Sequence, residues 1–529
     1  MNVEELEPKY LRFQEEVEKV SKKHGLDFFE TVFYMTNWED QIQIIGYGGF
    51  PRRPHHWKFG QDAYEFEQQN RYGVSRVYEM VINNDPCYAY IHKSNSDTEI
   101  KFVICHVYGH NDFFKNNIWF SKTNRDMVRE MNWHAEKVDR LEQRYGQPEV
   151  EKMVEICMSL DNLIDPMSVF LNPDFETIEK RVREAEMPRE RPRLHNTGDR
   201  YLDSVLNTKE HRLKEMRRIH RENKEGKRFP RNLQKDVVKF IIDNAKYRNH
   251  NLPDWKLDML SLFRDEFYYF APQRSTKIMN EGWATYWHHK LMIEEGFVGD
   301  KGVFDFSKIH SGVTAMSNGQ FNPYALGLKM WEWIEHRWDT GKHGPEYDKC
   351  DDRLTKFNWD TKEMNGKEKI FHVRKYYNDI MLIDEFFDKD FCDANKLFGY
   401  GQELPQELTR DKQISGIKKY ILGKLYNSGE PIIFVKDGDF NNKGELLLHH
   451  DFEFAYKTLD IKKTIQVMKN LRTIWGKDIS MDTKRPNTTK SKKNRGEYEH
   501  VRLMVTESSV VSRIIGNNDS ILKEEDLDV

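Results

Sequence analysis

Apolar residues recur every three or four positions along much of the chain, a spacing that predicts amphipathic helices. The pattern predicts a helix over residues 4–24, mostly helical structure over 101–170 and 233–295, and another helix over 325–338. The apolar positions of the first helix are Leu6, Tyr10, Phe13, Val17 and Val20. These helices predict a mainly α fold with a multi-helix core.

The C-terminal part has a different pattern. Two apolar runs, 431–438 and 444–455, flank the turn-forming DFNNKG and predict a pair of strands, and 459–476 predicts a helix after them. Extended runs are also predicted at 87–93 and 100–107, although the second run can equally begin a helix. The chain is therefore expected to be mainly α, with a smaller α+β region at its C-terminal end.

Charge and composition exclude several classes of protein. The 529 residues include 83 basic and 87 acidic side chains, and the net charge of -4 gives no overall signature of DNA binding. No apolar run of roughly 18 residues predicts a membrane-spanning helix, and the charged N-terminus lacks the apolar core of a secretory signal. Five scattered cysteines without a CxxC pair suit a cytoplasmic protein.

Changes in composition predict four regions. The N-terminal region, 1–173, precedes a charged helical linker, 174–232, which is poor in large apolar side chains. A central helical region, 233–410, is followed by the C-terminal α+β region, 411–529. The last region contains a basic, flexible loop at 483–497 and ends in an acidic tail.

His106 and His110 are the first candidate metal ligands. On a helix, residues four apart share a face, and the neighbouring Phe102, Val103 and Phe113 place that face in the interior. Buried imidazoles need hydrogen bonds or a metal ion to offset their desolvation. An incidental HxxxH pair is the alternative, because the spacing alone is weakly specific.

The segment TKIMNEGWATYWHHK (276–290) contributes Glu281 and His288, which are two helical turns apart and share a face. Its aromatic residues indicate that most of this helix is buried, where a carboxylate is costly unless it is paired or ligated. Ala284 and Thr285 are small enough to let another helix approach.

Two further polar residues lie on predicted helix faces that are otherwise apolar. The carboxyl group of Glu266 either pairs with a cation such as Arg264, binds metal, or has its pKa raised by desolvation, as suits a general acid or base. A structural ion pair is the alternative. His134 shares its face with Val138 and Leu141, where a hydrogen-bonded core histidine is the alternative to a catalytic role.

Together, His106, His110 and Glu281 make a His₂Glu set of the kind that binds zinc and leaves one position open for water. His288 is a fourth candidate ligand. Zinc is the expected ion, with iron or manganese as alternatives. The set is similar to that of the gluzincin metalloproteases, in which a HExxH helix is completed by a later glutamate.

One departure from that pattern concerns the general base. Val107 follows the first histidine, where the metalloproteases have glutamate. If hydrolysis occurs, Glu266 or His288 must replace the missing base, and His134 or His288 would orient groups or stabilise the developing charge.

Six long motifs occur in a fixed order along the chain: HHWKFG (55–60), RYGVSRVYEMVINNDPCYAY (71–90), HVYGHNDFFKNN (106–117), FRDEFYYFAPQRSTKIMNEGWATYWH (263–288), GQFNPYALGLKMWEWIEHRW (319–338) and GKEKIFHVRKYYND (366–379). They resemble the stage V sporulation protein R (SpoVR) family, and the likeness covers most of residues 25–480. The candidate metal ligands lie within the motifs, which implies that they act together. The loop HHWKFG adds His56 and Trp57 as candidate substrate-binding residues; His56 either faces the same cleft or holds the loop in place.

The resemblance implies a process more than a reaction. Founding members of the family act in formation of the spore cortex. Relatives in non-sporulating bacteria and in archaea occur beside a PrkA-like serine protein kinase and a von Willebrand A-type protein, which implies a stress-response module and names these two as expected partners.

Three functions compete at this stage. The first is a metal-dependent hydrolase acting on peptide or amide bonds, either in cell-wall precursors or in a regulatory protein. The second is a non-enzymatic regulatory scaffold that acts with the PrkA-like kinase, with 174–232 as a docking surface. The third, nucleic-acid binding through the basic stretches 209–231 and 483–497, is the weakest, because acidic residues are interspersed in the first stretch.

Overall fold

The computed structural model describes residues 4–71, 79–170, 208, 211, 213–214, 229–230, 232–315, 322–398, 409–455, 457–486, 498–514 and 521–523. The chain forms two compact units, one from residues 1–154 and 268–429 and the other from 155–267 and 430–529. Most of the predicted linker 174–232, most of the basic loop and the acidic tail lie outside the described residues. The predicted region boundaries stay predictions.

The helices are, in chain order, α1 (Pro8–Lys23), α2 (Trp38–Gly46), α3 (Trp57–Arg71), α4 (Asp97–Asn116), α5 (Met127–Tyr145), α6 (Gln147–Met158), α7 (Val237–Arg248), α8 (Asp254–Ser275), α9 (Lys277–His289), α10 (Gly299–Val313), α11 (Pro323–Asp339), α12 (Gly344–Asp348), α13 (Arg353–Phe357), α14 (Gly366–Tyr376), α15 (Asp379–Phe386), α16 (Lys389–Ala394), α17 (Arg410–Leu425), α18 (Phe452–Ala455) and α19 (Ile461–Trp475). The strands are β1 (Glu4–Glu5), β2 (Thr31–Thr36), β3 (Glu79–Ile82), β4 (Cys87–His92), β5 (Ile433–Phe440), β6 (Glu445–His450), β7 (Ile479–Pro486), β8 (Tyr498–Val505), β9 (Val510–Ile514) and β10 (Ile521–Lys523). This composition confirms the predicted mainly α fold with a smaller α+β part.

The start of α4 resolves the ambiguity of the 100–107 run. Ser96 accepts a hydrogen bond from the backbone of Glu99, and the Glu99 side chain accepts one from the backbone of Ser96, so the two residues form a capping box. This cap starts a helix at Asp97, and the apolar run continues it. The extended alternative for 100–107 is therefore wrong.

The first unit also holds a four-stranded sheet in the order β1-β2-β4-β3. β2 and β4 run parallel, with Thr31 opposite Cys87, and β1 and β3 pair antiparallel at the two edges. β4 is the strand predicted over 87–93, whereas β2 was not predicted.

At the centre of the first unit, three helices meet at glycine and alanine residues, which let their backbones come close together. A Cβ on Gly109 of α4 would lie 2.6 Å from the Ala284 Cα on α9, and a Cβ on Gly327 of α11 would lie 2.6 Å from the Gly282 Cα, again on α9. α9 is therefore held between α4 and α11 at backbone distance. The predicted close approach at Ala284 is confirmed, and it fixes α4 and α9 side by side.

The second unit holds a six-stranded sheet in the order β10-β9-β8-β7-β6-β5. β5 and β6 form the predicted hairpin, although β6 ends at His450 and the remainder of the predicted strand forms α18. β6 and β7 are parallel neighbours joined through α19, which buries Met468 and Leu471. None of the helices in the described part of the chain is both long and apolar enough to cross a membrane.

Candidate metal centre

His106 and His110 lie one turn apart on α4, and both are buried, at 1% and 6% exposure. Their ring atoms Nε2 are 3.0 Å apart. The rings stand on the face of α4 that meets α9, beside Gly109, so the backbone contact with Ala284 brings α9 within reach of both imidazoles.

Glu281 extends from α9 toward these two rings. Its Oε2 atom lies 3.4 Å from His110 Nε2 and 3.9 Å from His106 Nε2. The three ligand atoms lie within 4.8 Å of one another, and among the described residues this is the one group of His, Cys, Asp and Glu side chains that meets in this way. Two ligands of a tetrahedral zinc ion, each about 2.0–2.2 Å from it, are about 3.3 Å apart, so the spacing fits one shared ion.

The other nitrogen of each ring has a defined contact. His110 Nδ1 is 2.9 Å from Asn280 Oδ1, and His106 Nδ1 is 2.9 Å from His288 Nδ1. Since an amide oxygen only accepts, His110 donates its Nδ1 hydrogen and keeps the Nε2 lone pair for a ligand. Metal-binding histidines generally donate their second N–H in this manner to an outer partner.

His288 continues the contact away from the centre, because its Nε2 atom lies 3.0 Å from Nδ1 of His310 on α10. The imidazoles of His110, His106, His288 and His310 thus form a continuous row. Only the first two direct a nitrogen toward Glu281; His288 reaches His106 from the opposite side of that ring.

Burial controls the charge of this row. Desolvation lowers the pKa of His106 and of His288 well below the usual histidine value, and the neighbouring imidazoles lower both further. Burial also lowers the pKa of His310 to about 4. The rings of His106, His288 and His310 are therefore neutral near pH 7, and the neutral imidazole is the form that binds metal ions.

Glu281 Oε2 is an orphaned atom in this surrounding. It is buried and has no hydrogen-bond partner among the residues that the structure describes. The neutral ring of His106 offers it no positive charge. A buried carboxylate oxygen without a partner is unfavourable, and a cation between it and the two Nε2 atoms would compensate it. The donor set and its geometry thus fit zinc.

Comparison with known proteins identifies the family of this chain. Residues 4–429 match the family model described as SpoVR like protein. The chain belongs to the SpoVR family. An Escherichia coli (strain K12) relative, named only as uncharacterized protein YcgB, is 30% identical over 334 residues, which are 60% of this chain and 62% of the relative. No solved structure matches the chain.

The SpoVR match includes every residue of the candidate centre but ends before β5, so the strands of the second unit lie outside it. The family assignment from the six motifs is confirmed. The printed name of the E. coli relative supplies no reaction.

Glu266 and His134 are the predicted catalytic residues of this SpoVR chain. Glu266 is buried on α8 in the second unit, where burial and the Glu266 charge raise the pKa of the Cys157 thiol. His134 is buried on α5 in the first unit, with its ring centroid 5.6 Å from that of Trp133. Their catalytic roles stay predictions.

His56 and Trp57 lie at the start of α3. His56 is buried, and its Nδ1 accepts a hydrogen bond from the Lys58 backbone at 3.2 Å, whereas Trp57 is 56% exposed. Their assignment to substrate binding stays a prediction.

Asn280 and His310 were not predicted from the sequence. Asn280 precedes Glu281 within NEGW, yet an amide next to a carboxylate has no distinctive pattern. His310 lies on α10, outside the six motifs. His310 reaches the row because α10 packs against α4 and α9. The spacing of residues along the sequence does not predict this packing.

Proposed function

We propose that this SpoVR-family chain is a zinc-dependent hydrolase that cleaves peptide or amide bonds, with His106, His110 and Glu281 as the zinc ligands. The observation that supports the proposal most is the convergence of two imidazole Nε2 atoms on a buried carboxylate oxygen that has no other described partner. His₂Glu is a common ligand set of catalytic zinc.

A zinc ion held there would supply a Lewis acid and a water of lowered pKa for attack on a carbonyl group. The chain's own residues then have separate tasks. Asn280 and His288 hold the two ligand rings through their Nδ1 atoms. Glu281 offsets part of the cation's charge. The backbone contact of Gly109 with Ala284 keeps these groups at a constant separation.

Proton transfer in this site must differ from that in HExxH enzymes. Val107, which follows the first ligand, is fully buried and carries no acid–base group. His288 lies on the Nδ1 side of His106, so it acts on the reaction through that ring. A direct base at the open zinc position must come from another residue.

The family resemblance suggests the setting. We propose a cytoplasmic substrate, either a cell-wall precursor linked to spore cortex formation or a regulatory protein in a stress response with a PrkA-like kinase and a von Willebrand A-type protein. Both substrate types present amide bonds.

The test begins with metal content. The full chain, purified without chelator, is expected to contain about one equivalent of zinc, and His106→Asn and Glu281→Gln are expected to contain little. His372→Asn is a matched control, since His372 is exposed on α14. Hydrolysis of a peptide library and of muropeptide precursors should be lost with a chelator and in Glu281→Gln. A normally folded protein that binds neither zinc nor iron nor manganese would contradict the proposal and favour the regulatory scaffold.

A further inference from the structure

A second concave site lies in the first unit, between α11, α12, α13 and α16. Its volume is about 580 Å³, and small-molecule sites typically measure about 300–1,000 Å³. The residues that line it are separate from the three proposed zinc ligands. Nothing in the proposed hydrolase function requires this pocket.

Three lysines line the pocket, and none of their ammonium groups has a close carboxylate partner within 3.5 Å among the described residues; Lys356 Nζ also lies 4.6 Å from the centroid of the Tyr347 ring. Lys329 Nζ lies 3.5 Å from a side-chain amide oxygen, and Lys342 Nζ donates to the backbone oxygen of Phe357 at 3.2 Å. Lys356 Nζ is 3.9 Å from Asp390 Oδ2, the limit of an ion pair. Much of the positive charge of the three lysines therefore stays available to an anionic ligand.

The carboxyl groups of the pocket are partly occupied by other contacts. Asp393 pairs with Arg410 at 3.1 Å, and Asp390 accepts a hydrogen bond from the Tyr347 hydroxyl at 3.3 Å. Burial raises the pKa of Glu332. These oxygens can still accept hydrogen bonds from ligand amino or hydroxyl groups. The wall thus suits a ligand that is anionic at one end and donates hydrogen bonds at the other.

Aromatic side chains supply the third feature. Trp333 is 9% exposed, and its indole N–H has no acceptor among the described residues, so a ligand acceptor would satisfy a buried donor. Phe357 is 78% exposed and presents a free ring face on the same pocket lining. A flat heteroaromatic ring fits both, because it can stack on a phenyl ring and accept a hydrogen bond.

We propose that this pocket binds a nucleotide, with its phosphates at Lys329, Lys342 and Lys356 and its base between Phe357 and Trp333. A sugar phosphate would leave the exposed ring and the indole N–H unused. A purely apolar ligand would add no negative charge to balance the three ammonium groups. A nucleotide combines phosphate charge, hydroxyl donors and an aromatic base.

The test uses the full chain and ADP as the probe, with adenosine and inorganic pyrophosphate as its two halves. Calorimetry and ³¹P NMR are expected to show one ADP per chain, bound at least about tenfold more tightly than either half, because both ends contribute. Equal binding of pyrophosphate and ADP would reduce the site to an anion site and overturn the proposal, as would no ADP binding at all.

Variants locate the binding. Lys356→Met and Lys329→Met are each expected to weaken ADP binding by about tenfold, and Trp333→Phe by about fivefold through loss of the indole N–H. Lys419→Met, at an exposed position on α17, is the matched control and should bind normally. Circular dichroism and thermal melting verify that each variant is folded. Folded lysine variants that bind ADP like the unmodified chain would overturn the assignment.

Discussion

Replacing Glu281 with glutamine removes one negative charge from the proposed zinc centre but keeps the size and shape of the side chain. The change affects an oxygen that lies 3.4 Å from His110 Nε2 and has no other described partner. Because glutamine offers a neutral amide oxygen in the same place, any loss of zinc affinity reports mainly the missing charge.

Coulomb's law gives the size of this effect. A carboxylate about 2.1 Å from a divalent ion gains about 4 kcal/mol even with the dielectric constant of water. The lower effective dielectric constant of a buried site makes this a minimum. We therefore expect the dissociation constant for zinc to rise by roughly 10³-fold or more.

Two measurements check this expectation. Competition with a chromogenic chelator gives the zinc affinity directly. In thermal unfolding, zinc at a hundred times its dissociation constant stabilises the unmodified chain by about 2.7 kcal/mol, and the same zinc concentration should give Glu281→Gln essentially no stabilisation. Without metal, the variant should be as stable as the parent or more so, because a buried, unpartnered carboxylate has been removed.

The matched control is Glu16→Gln, at an exposed position on α1. It should leave the zinc affinity unchanged. Zinc binding by Glu281→Gln within threefold of the parent would refute the reasoning, since the carboxylate would then not be a ligand.

Three further changes test the surroundings. His288→Leu removes the partner of His106 Nδ1 and should weaken zinc binding by about 10–100-fold without lowering the saturating stoichiometry, whereas His288→Asn should restore part of the affinity in the same titration. Gly327→Ala places a Cβ 2.2 Å from the Ile278 backbone oxygen and should lower the free energy of unfolding by about 3 kcal/mol in urea. Burial lowers the pKa of His450 to about 4 in the folded state, whereas the unfolded chain takes up this proton near pH 6.5. The contribution of the neutral ring to stability is therefore complete above that pH, and the free energy of unfolding falls by about 1–3 kcal/mol as the pH drops toward 4. Melting curves of His450→Asn should lack this part of the acid dependence.

Sequence patterns predicted the features that depend on residues close together in the sequence. The spacing of His106 and His110 placed them on one interior face of a helix, and the small Ala284 predicted the close approach of α9. Glu281 and His288 could be placed on the other helix by the same argument. The buried His and Glu cluster that was expected from these pieces is present.

Features that depend on contacts far apart in the chain were missed. β2 pairs with β4 more than fifty residues later, and its sequence, TVFYMT, has no turn signal that ties it to that partner. The strand predicted through residue 455 was too long, because apolar residues of FEFA satisfy a one-turn helix as well as a strand. His310 joined the site through the packing of α10, for which periodicity gives no evidence.

Along the row of four imidazoles, each ring can donate its hydrogen bond either away from the proposed metal site or toward it. If an ion takes the lone pairs of both Nε2 atoms, the remaining hydrogen of His106 is on Nδ1, 2.9 Å from His288 Nδ1, and the Ala284 backbone is a further acceptor for this ring. When His288 accepts that hydrogen, it donates in turn from Nε2 to His310. Without the ion, Asn280 accepts from His110 Nδ1, and the hydrogen between the two Nε2 atoms belongs to His106. If the row stays hydrogen-bonded, His106 Nδ1 then accepts from His288 and His288 Nε2 accepts from His310, so that all three rings carry the opposite tautomer. The outermost nitrogen of half-buried His310 then changes from donor to acceptor. The occupancy of the proposed buried metal site is in this way coupled to the position of one hydrogen on half-buried His310.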